Sequence, residues 1–224
     1  MGHSSVNTRL QSAVVAEPAP ETRQERKERT RQALLRAALR LLEKRSFDRL
    51  SLRQVTKEVG IVPGAFYRHF RDMDELGQAL VEESFGTLRG MIRDARADVP
   101  RWDDAIKQSV ATLVDHVHAH QPHFRFIVRE RTGGSAVLRH AIEDQLRLFT
   151  EELAVDMRAF PYIGDWSDDD VTMIASLVVS TVVGTAAALT DLPRDRPEAE
   201  VAIRRTTEHQ LRLIFLGVPH WRSR

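Results

Sequence analysis

Ser51, Arg53, Tyr67, Arg68 and His69 lie in one stretch, SLRQVTKEVGIVPGAFYRHF, spanning Ser51 to Phe70. Their side chains are suited to holding a nucleic-acid duplex. An arginine fork can pair with two acceptors on the edge of a guanine, and a hydroxyl, phenol or imidazole can bond a phosphate oxygen. Arg53 and Arg68 are the candidates for base edges, and Ser51 and Tyr67 for phosphates. The competing readings are arginines bonded only to phosphate and a tyrosine packed in a core with its hydroxyl satisfied. His69 stands between phosphate, base and packing roles. Gly64 leaves room for a duplex to approach the backbone, or for a close internal contact. Other chemistry finds little support. His116 and His120 have the i,i+4 spacing of two zinc ligands on one helix, and His118 and His123 are close in sequence. No HExxH arrangement and no third ligand accompany them, so a cluster that binds no metal is expected. There is no nucleophile–base set, no phosphate-binding loop and no cysteine. An enzyme and a cofactor are not expected.

The elements that must position the first set are legible in the same stretch. Ser51 is a good N-cap for a helix from Leu52 to Glu58, with Leu52, Val55 and Val59 on one apolar face. Gly60 stops that helix, because glycine tolerates the left-handed conformation found at many helix ends. Val62-Pro63 starts a second helix to Phe70, since proline suits a first helical position. Helix, short glycine-containing turn, helix is the helix-turn-helix pattern, whose second helix enters the major groove. A long amphipathic helix, Arg23 to Arg45, precedes it and presents Thr30 and Arg31 where the first helix would meet the DNA backbone. Phe47, Leu50, Phe66 and Phe70 are its core candidates. The net charge of the chain is only +1, yet residues 21–71 carry 14 Lys and Arg against 6 Asp and Glu, and residues 72–224 carry 18 against 25. A basic front on an acidic remainder fits a nucleic-acid-binding unit joined to a body with another task.

The remainder is helical throughout, with no convincing strand and no repeat. The expected fold is all-α with about nine helices. It divides into a flexible arm (1–22), a helix-turn-helix domain (23–71) and a ligand-binding and dimerisation domain (72–224). One helix opens at Asp72 and runs to about Asp98, and others follow from Trp102, Pro122, Ser135, Ser167 and Glu198. No apolar run is expected to be long enough to span a bilayer, no membrane partner is expected, and a cytoplasmic protein fits. Leu113, Val117, Phe124, Ile127, Phe149, Leu153, Met157, Ile174, Leu177 and Val178 are candidates to line an apolar pocket between helices, with plain core packing as the competing reading. Arg129, with Arg125 and Arg131, is a candidate receiver of ligand phosphates, against a solvated helix face. The last two helices, with Ser180, Gly184, Ala186 and Ala187, suit close approach in a four-helix dimer interface.

The run ERTRQALLRAALRLLEKRSFDRLSLRQVTKEVGIVPGAFYRHFRDMDEL resembles the DNA-binding domain of the TetR family of bacterial transcription regulators. The resemblance rests on Thr30-Arg31, Ala37-Ala38, Ser51 and Arg53, Val59-Gly60-Ile61, then Gly64, Phe66, Tyr67 and Phe70, and Asp74-Glu75-Leu76. It implies a homodimer on palindromic operator DNA and a small hydrophobic effector in the body. HFRDMDELGQALVEES and FRFIVRERTGGSAVLRHAI are similar to the FabR and DesT type of repressor of unsaturated fatty acid synthesis. That similarity implies sensing of long-chain acyl-CoA. The alternative is a regulator of efflux or catabolic genes answering to another small hydrophobic ligand. Met73 stands where many members carry a phosphate-touching lysine, and Val62-Pro63 replaces the common polar pair, so the family's operator preferences do not transfer.

Overall fold

The computed structural model describes residues 22–95, 102–160, 162–193 and 195–223. The proposed arm lies outside these apart from Thr22, as does the expected end of the fourth helix near Asp98. Among the described residues there are nine α-helices and no strand. They are α1 (Arg23–Leu42), α2 (Leu52–Val59), α3 (Pro63–Phe66), α4 (Met73–Ala95), α5 (Trp102–Ala119), α6 (Gln121–Arg131), α7 (Ala136–Met157), α8 (Asp168–Asp191) and α9 (Pro197–Gly217). A 3₁₀ turn, Phe47–Arg49, joins α1 to α2, and a second, Val218–His220, follows α9.

Helix starts are set by side chains that bond the orphan first-turn amides. Thr22 and Glu25 form a capping box on α1, and Ser51 and Gln54 form one on α2. The Asp72 carboxylate accepts from the Glu75 amide at 2.8 Å to open α4. Ser135 and Ser167 cap α7 and α8, and α8 carries Asp168, Asp169 and Asp170 in its first turn, where the helix dipole favours negative charge.

Two ends differ from expectation. α1 stops at Leu42 rather than Arg45: the Glu43 and Lys44 amides bond carbonyls three residues back, and the Leu42 and Arg45 carbonyls, left without a helical partner, accept from the Arg129 guanidinium. α3 is a single turn that ends at Phe66 rather than Phe70. The chain tightens there, with the Arg68 amide bonded to the Ala65 carbonyl and the His69 amide to that of Phe66, both i to i−3 bonds.

The core does not divide at residue 71. Leu34, Leu35, Leu42, Phe47, Val55, Phe66 and Phe70 form one apolar cluster with Leu76, Leu80 and Phe85 of α4, Phe126 of α6 and Leu138 and Ile142 of α7. Burying each of the large side chains is worth about 1.5–3 kcal/mol, so this shared cluster fastens the front unit to the body. Phe47 is the pin: a Cβ at Gly77 would lie 2.7 Å from its ring and 2.7 Å from Leu138.

α8 corrects one expectation. By length and mean hydropathy, 1.9 over its best window, it is long and apolar enough to cross a bilayer. In this fold it packs on α6, α7 and α9 and buries Val171, Ile174, Ala175, Val179, Ala186 and Leu189. Its Thr185 and the Thr207 of α9 share a buried hydroxyl–hydroxyl bond of 2.8 Å.

Candidate nucleic-acid interface and effector cavity

The α2–turn–α3 unit is rigidly specified. Gly60 adopts φ 79°, the left-handed conformation that a side chain would strain. Val55 and Phe66 are fully buried beneath the turn and Phe70 is nearly so. This arrangement leaves Arg53, Lys57, Gly64, Tyr67 and Arg68 exposed on the outside, together with Val62 and Pro63. Tyr67 is 63% exposed, so the core reading for its ring fails. A Cβ at Gly64 would meet nothing within 4 Å, which removes the internal packing reason for that glycine. Arg53 and Arg68 make no ion pair among the described residues, whereas nearby Arg40 is paired with Glu58 at 3.2 Å.

Ser51 is exposed, and its hydroxyl serves the α2 cap, 3.4 Å from the Gln54 amide. The Thr30 hydroxyl donates to the Arg26 carbonyl at 2.9 Å. The Arg31 guanidinium sits 5.0 Å from the centre of the Phe70 ring, a cation–π contact that holds it beside the end of the recognition segment. His69 is half-buried and its Nδ1 has no partner. Burial, then the cations Lys27, Arg68 and Arg31, hold its pKa below the ordinary histidine value, with Glu28 opposing. Burial and the neighbouring cations thus favour the uncharged ring.

The body holds a cavity of about 730 Å³, partly open to the outside and bounded by α4 to α9. Leu113, Phe124, Ile127, Phe149, Leu153, Met157 and Val178 line it. The other four candidates do not. Val117 is buried in the cluster with Leu113 and Leu189, and Ile174 in that with Met157 and Ile163. Leu177 is 49% exposed on the outer face of α8. Arg129 bonds the α1 carbonyls instead. Sequence reasoning missed Val182, Val183 and Ala186 of α8 and Leu211 and Phe215 of α9, which complete the wall. Ala186, expected from its small size in the dimer interface, is buried and turns to the cavity instead; the others read as general helix core, because only the packing of α8 on α9 shows which face turns inward. The polar groups among the described lining are Ser109, Thr112 and Asp156, and no cationic side chain is among them. Phe85 and Leu88 of α4 also line the cavity, so one helix connects it to the front unit.

The three arginines of α6 do not converge. Arg131 is exposed, and Arg125 lines a separate cavity of about 430 Å³ with Glu43, His118, Gln121 and Leu192. The histidines hold no metal-like arrangement among the described residues. His116 and His120 rings lie 5.4 Å apart, His123 Nδ1 is 3.0 Å from the buried Ser84 hydroxyl, and His118 pairs with Glu200 at 3.2 Å.

A helix-turn-helix front with a cavity-bearing helical body defines a ligand-responsive regulator class. Residues 34–80 match the family described as "Bacterial regulatory proteins, tetR family". Residues 102–217 match "Tetracyclin repressor-like, C-terminal domain". The chain belongs to the TetR family, whose members are DNA-binding transcription regulators that dimerise and bind small ligands, and are not enzymes. Solved structures share the fold. A transcriptional regulator from Rhodococcus sp. Rha1 is 18% identical, with a TM-score of 0.66 over 84% of this chain and 97% of that one. FadR from Bacillus subtilis in complex with stearoyl-CoA is 15% identical, with a TM-score of 0.59 over 80% and 96%. A SmeT–triclosan complex is 19% identical, with a TM-score of 0.56 over 80% and 91%.

Proposed function

We propose that this chain is a homodimeric repressor of fatty acid and lipid metabolism genes, of the FabR/DesT kind, whose operator affinity is set by a long-chain acyl group delivered as acyl-CoA. The observation that carries the proposal is the 730 Å³ apolar cavity, lined in part by α4, the helix that leads directly from the DNA-binding unit. Its volume falls within the roughly 300–1,000 Å³ typical of small-molecule sites. The stearoyl-CoA bound by the Bacillus subtilis FadR supports an acyl occupant for this shape of body. An occupant acts by binding more tightly to one orientation of the DNA-binding units than to the other.

On the DNA side, Arg53 and Arg68 read base edges. Tyr67, Arg31 and His69 hold phosphates, Ser51 and Thr30 join them by turning their hydroxyl protons from Gln54 and the Arg26 carbonyl, and Gly64 lets the backbone approach. The dimer forms through α8 and α9. Met173, Leu177, Val201, Leu213 and Leu216 are exposed there, and Ser176, Ser180, Gly184 and Ala188 recur every fourth residue on the outer face of α8. An isologous pair built on that face presents two recognition segments to a palindrome with half-sites about one helical turn apart.

A second reading has its own support. With no cation among the described lining residues, a neutral hydrophobe fits as well, as the triclosan of the SmeT complex does for that protein. The chain would then regulate efflux or catabolic genes. Native mass spectrometry of the purified protein, followed by operator titration with oleoyl-CoA, palmitoyl-CoA, free coenzyme A and triclosan, separates the two. An operator affinity that changes with acyl-CoA and differs between the saturated and unsaturated forms supports the first reading. A response to triclosan alone supports the second, and indifference to all four sinks both.

A further inference from the structure

Helix α6 meets the cavity and the DNA-binding unit within a few residues. Phe124, Ile127 and Val128 line the cavity. Next in the chain, Arg129 Nη1 donates to the Leu42 carbonyl at 2.8 Å and the Arg45 carbonyl at 3.0 Å, where α1 ends. Glu130 is fully buried, and its Oε1 accepts from the Phe47 amide at 3.0 Å. Its Oε2 has no partner. The chain then closes onto the same corner. A Cβ at Gly134 would collide with the Asp48 carboxylate, and one at Gly133 would lie 2.9 Å from Glu130 Oε2. Arg139 Nη1 fixes both glycine carbonyls, at 2.6 and 2.9 Å.

A buried carboxylate is a costly group with which to bond one amide, and neither α6 nor the cavity needs it. What Arg129 and Glu130 do is tie the end of α6 to the backbone of residues 42–47 by bonds to a charged donor and a carboxylate acceptor, stronger than neutral ones.

We infer that Arg129 and Glu130 are positioning residues that form the joint through which cavity occupancy reaches the DNA-binding unit. An occupant pressing on Phe124, Ile127 or Val128 shifts a short, stiff helix. The corner between α1 and α2 shifts with it and carries the α2–α3 unit packed on α1. α4 is a parallel route, and the joint predicts that α4 alone is insufficient. This inference rests on the cavity being the effector site.

The test needs no knowledge of the effector. Val182 lines the cavity from α8, so Val182→Trp fills it without altering α4 or α6. Binding to the DNA upstream of the protein's own gene is measured by fluorescence anisotropy for wild type, Val182→Trp, Arg129→Met and the double variant, with circular dichroism to confirm folding. Val182→Trp is expected to shift the dissociation constant by about fivefold or more, and the shift to fall below about twofold when Arg129 is replaced. Glu130→Gln, which keeps an acceptor for the Phe47 amide, retains the shift. Where Arg129→Met does not fold, Arg129→Gln closes the same cycle, because its neutral amide sits on a side chain two bonds shorter and does not reach the Leu42 and Arg45 carbonyls that Nη1 bonds. A shift of equal size with and without the arginine overturns the joint and leaves the cavity reading intact. No shift from Val182→Trp in folded wild-type background, with anilinonaphthalene sulfonate displaced from the cavity, overturns the cavity reading and the joint with it.

Discussion

Replacing Glu130 by Gln should flatten part of the pH dependence of stability. The carboxyl group is fully buried, with one oxygen on the Phe47 amide and the other unpartnered. Burial raises its pKa above the ordinary 4.5 as the largest effect. The Phe47 amide lowers it in part, Asp48 raises it and Arg129 lowers it. The folded chain therefore holds this proton more tightly than the unfolded chain does. Stability from the group is complete below the ordinary value and is lost as pH rises through the elevated folded value. Glutamine cannot titrate and still offers an oxygen to Phe47. Above the window the wild type carries an ionised oxygen without a partner. The cost of such a group is about 1–3 kcal/mol, and more when charged. The variant-minus-wild-type stability should thus climb by about 1–3 kcal/mol from a pH below the ordinary carboxyl value of 4.5 to a pH well above it. For a chain of this size that is a relative rise of about 2–12 °C in melting temperature. The amide N–H groups that replace Oε2 add an offset that does not vary with pH, so the slope of the difference is the readout. Thermal melts by circular dichroism at both pH values measure it. A difference that is constant with pH would refute the assignment of Glu130 as a group that is protonated at low pH and strained when ionised.

Four further outcomes follow from the same structure. Gly77→Ala places a methyl 2.7 Å from both the Phe47 ring and Leu138, and should cost about 1–3 kcal/mol by overpacking; an unchanged melt would show that the α4 contact is loose. Ser51→Ala removes the capping box of α2 and should cost about 0.5–2 kcal/mol in denaturant unfolding. Arg53→Ala should lose about 1–3 kcal/mol of discrimination at one operator position, and equal loss on operator and random DNA would sink its base-reading role. Leu213→Glu, at a position 73% exposed on α9, should give monomers by analytical ultracentrifugation, and an undisturbed dimer would move the interface elsewhere.

The helix-turn-helix was legible because its determinants are local. Ser51, Gly60 and Pro63 act within their own turns, and Phe66 and Phe70 need only a neighbouring apolar face. The end of α3 was not legible, since Phe66 and Phe70 at i,i+4 suit a continuing helix equally well; only the backbone bonds show the tightened turn. Leu113, Phe124 and Phe149 were legible as inward residues of the body, but apolar periodicity cannot tell a cavity wall from a filled core. Val117 and Ile174 fell to that ambiguity. Leu177 failed for another reason: α8 is apolar on both its buried and its outer faces, so hydrophobicity does not report direction. Arg129 is the hardest case. Its carbonyl partners lie 84 and 87 residues away in the chain, and no spacing rule connects a guanidinium to a helix end at that range. The continuity of the core across residue 71 was hidden for the same reason, because Phe47 meets Leu138 only in the folded chain.

The most direct test of the central claim is the affinity of the natively purified protein for the DNA upstream of its own gene, against scrambled DNA of equal length, at two salt concentrations. The structure predicts a preference of about 10³-fold or more, with affinity for both DNAs falling steeply as salt rises. Equal affinity for the two sequences, or binding insensitive to salt, would contradict a basic helix-turn-helix that reads an operator.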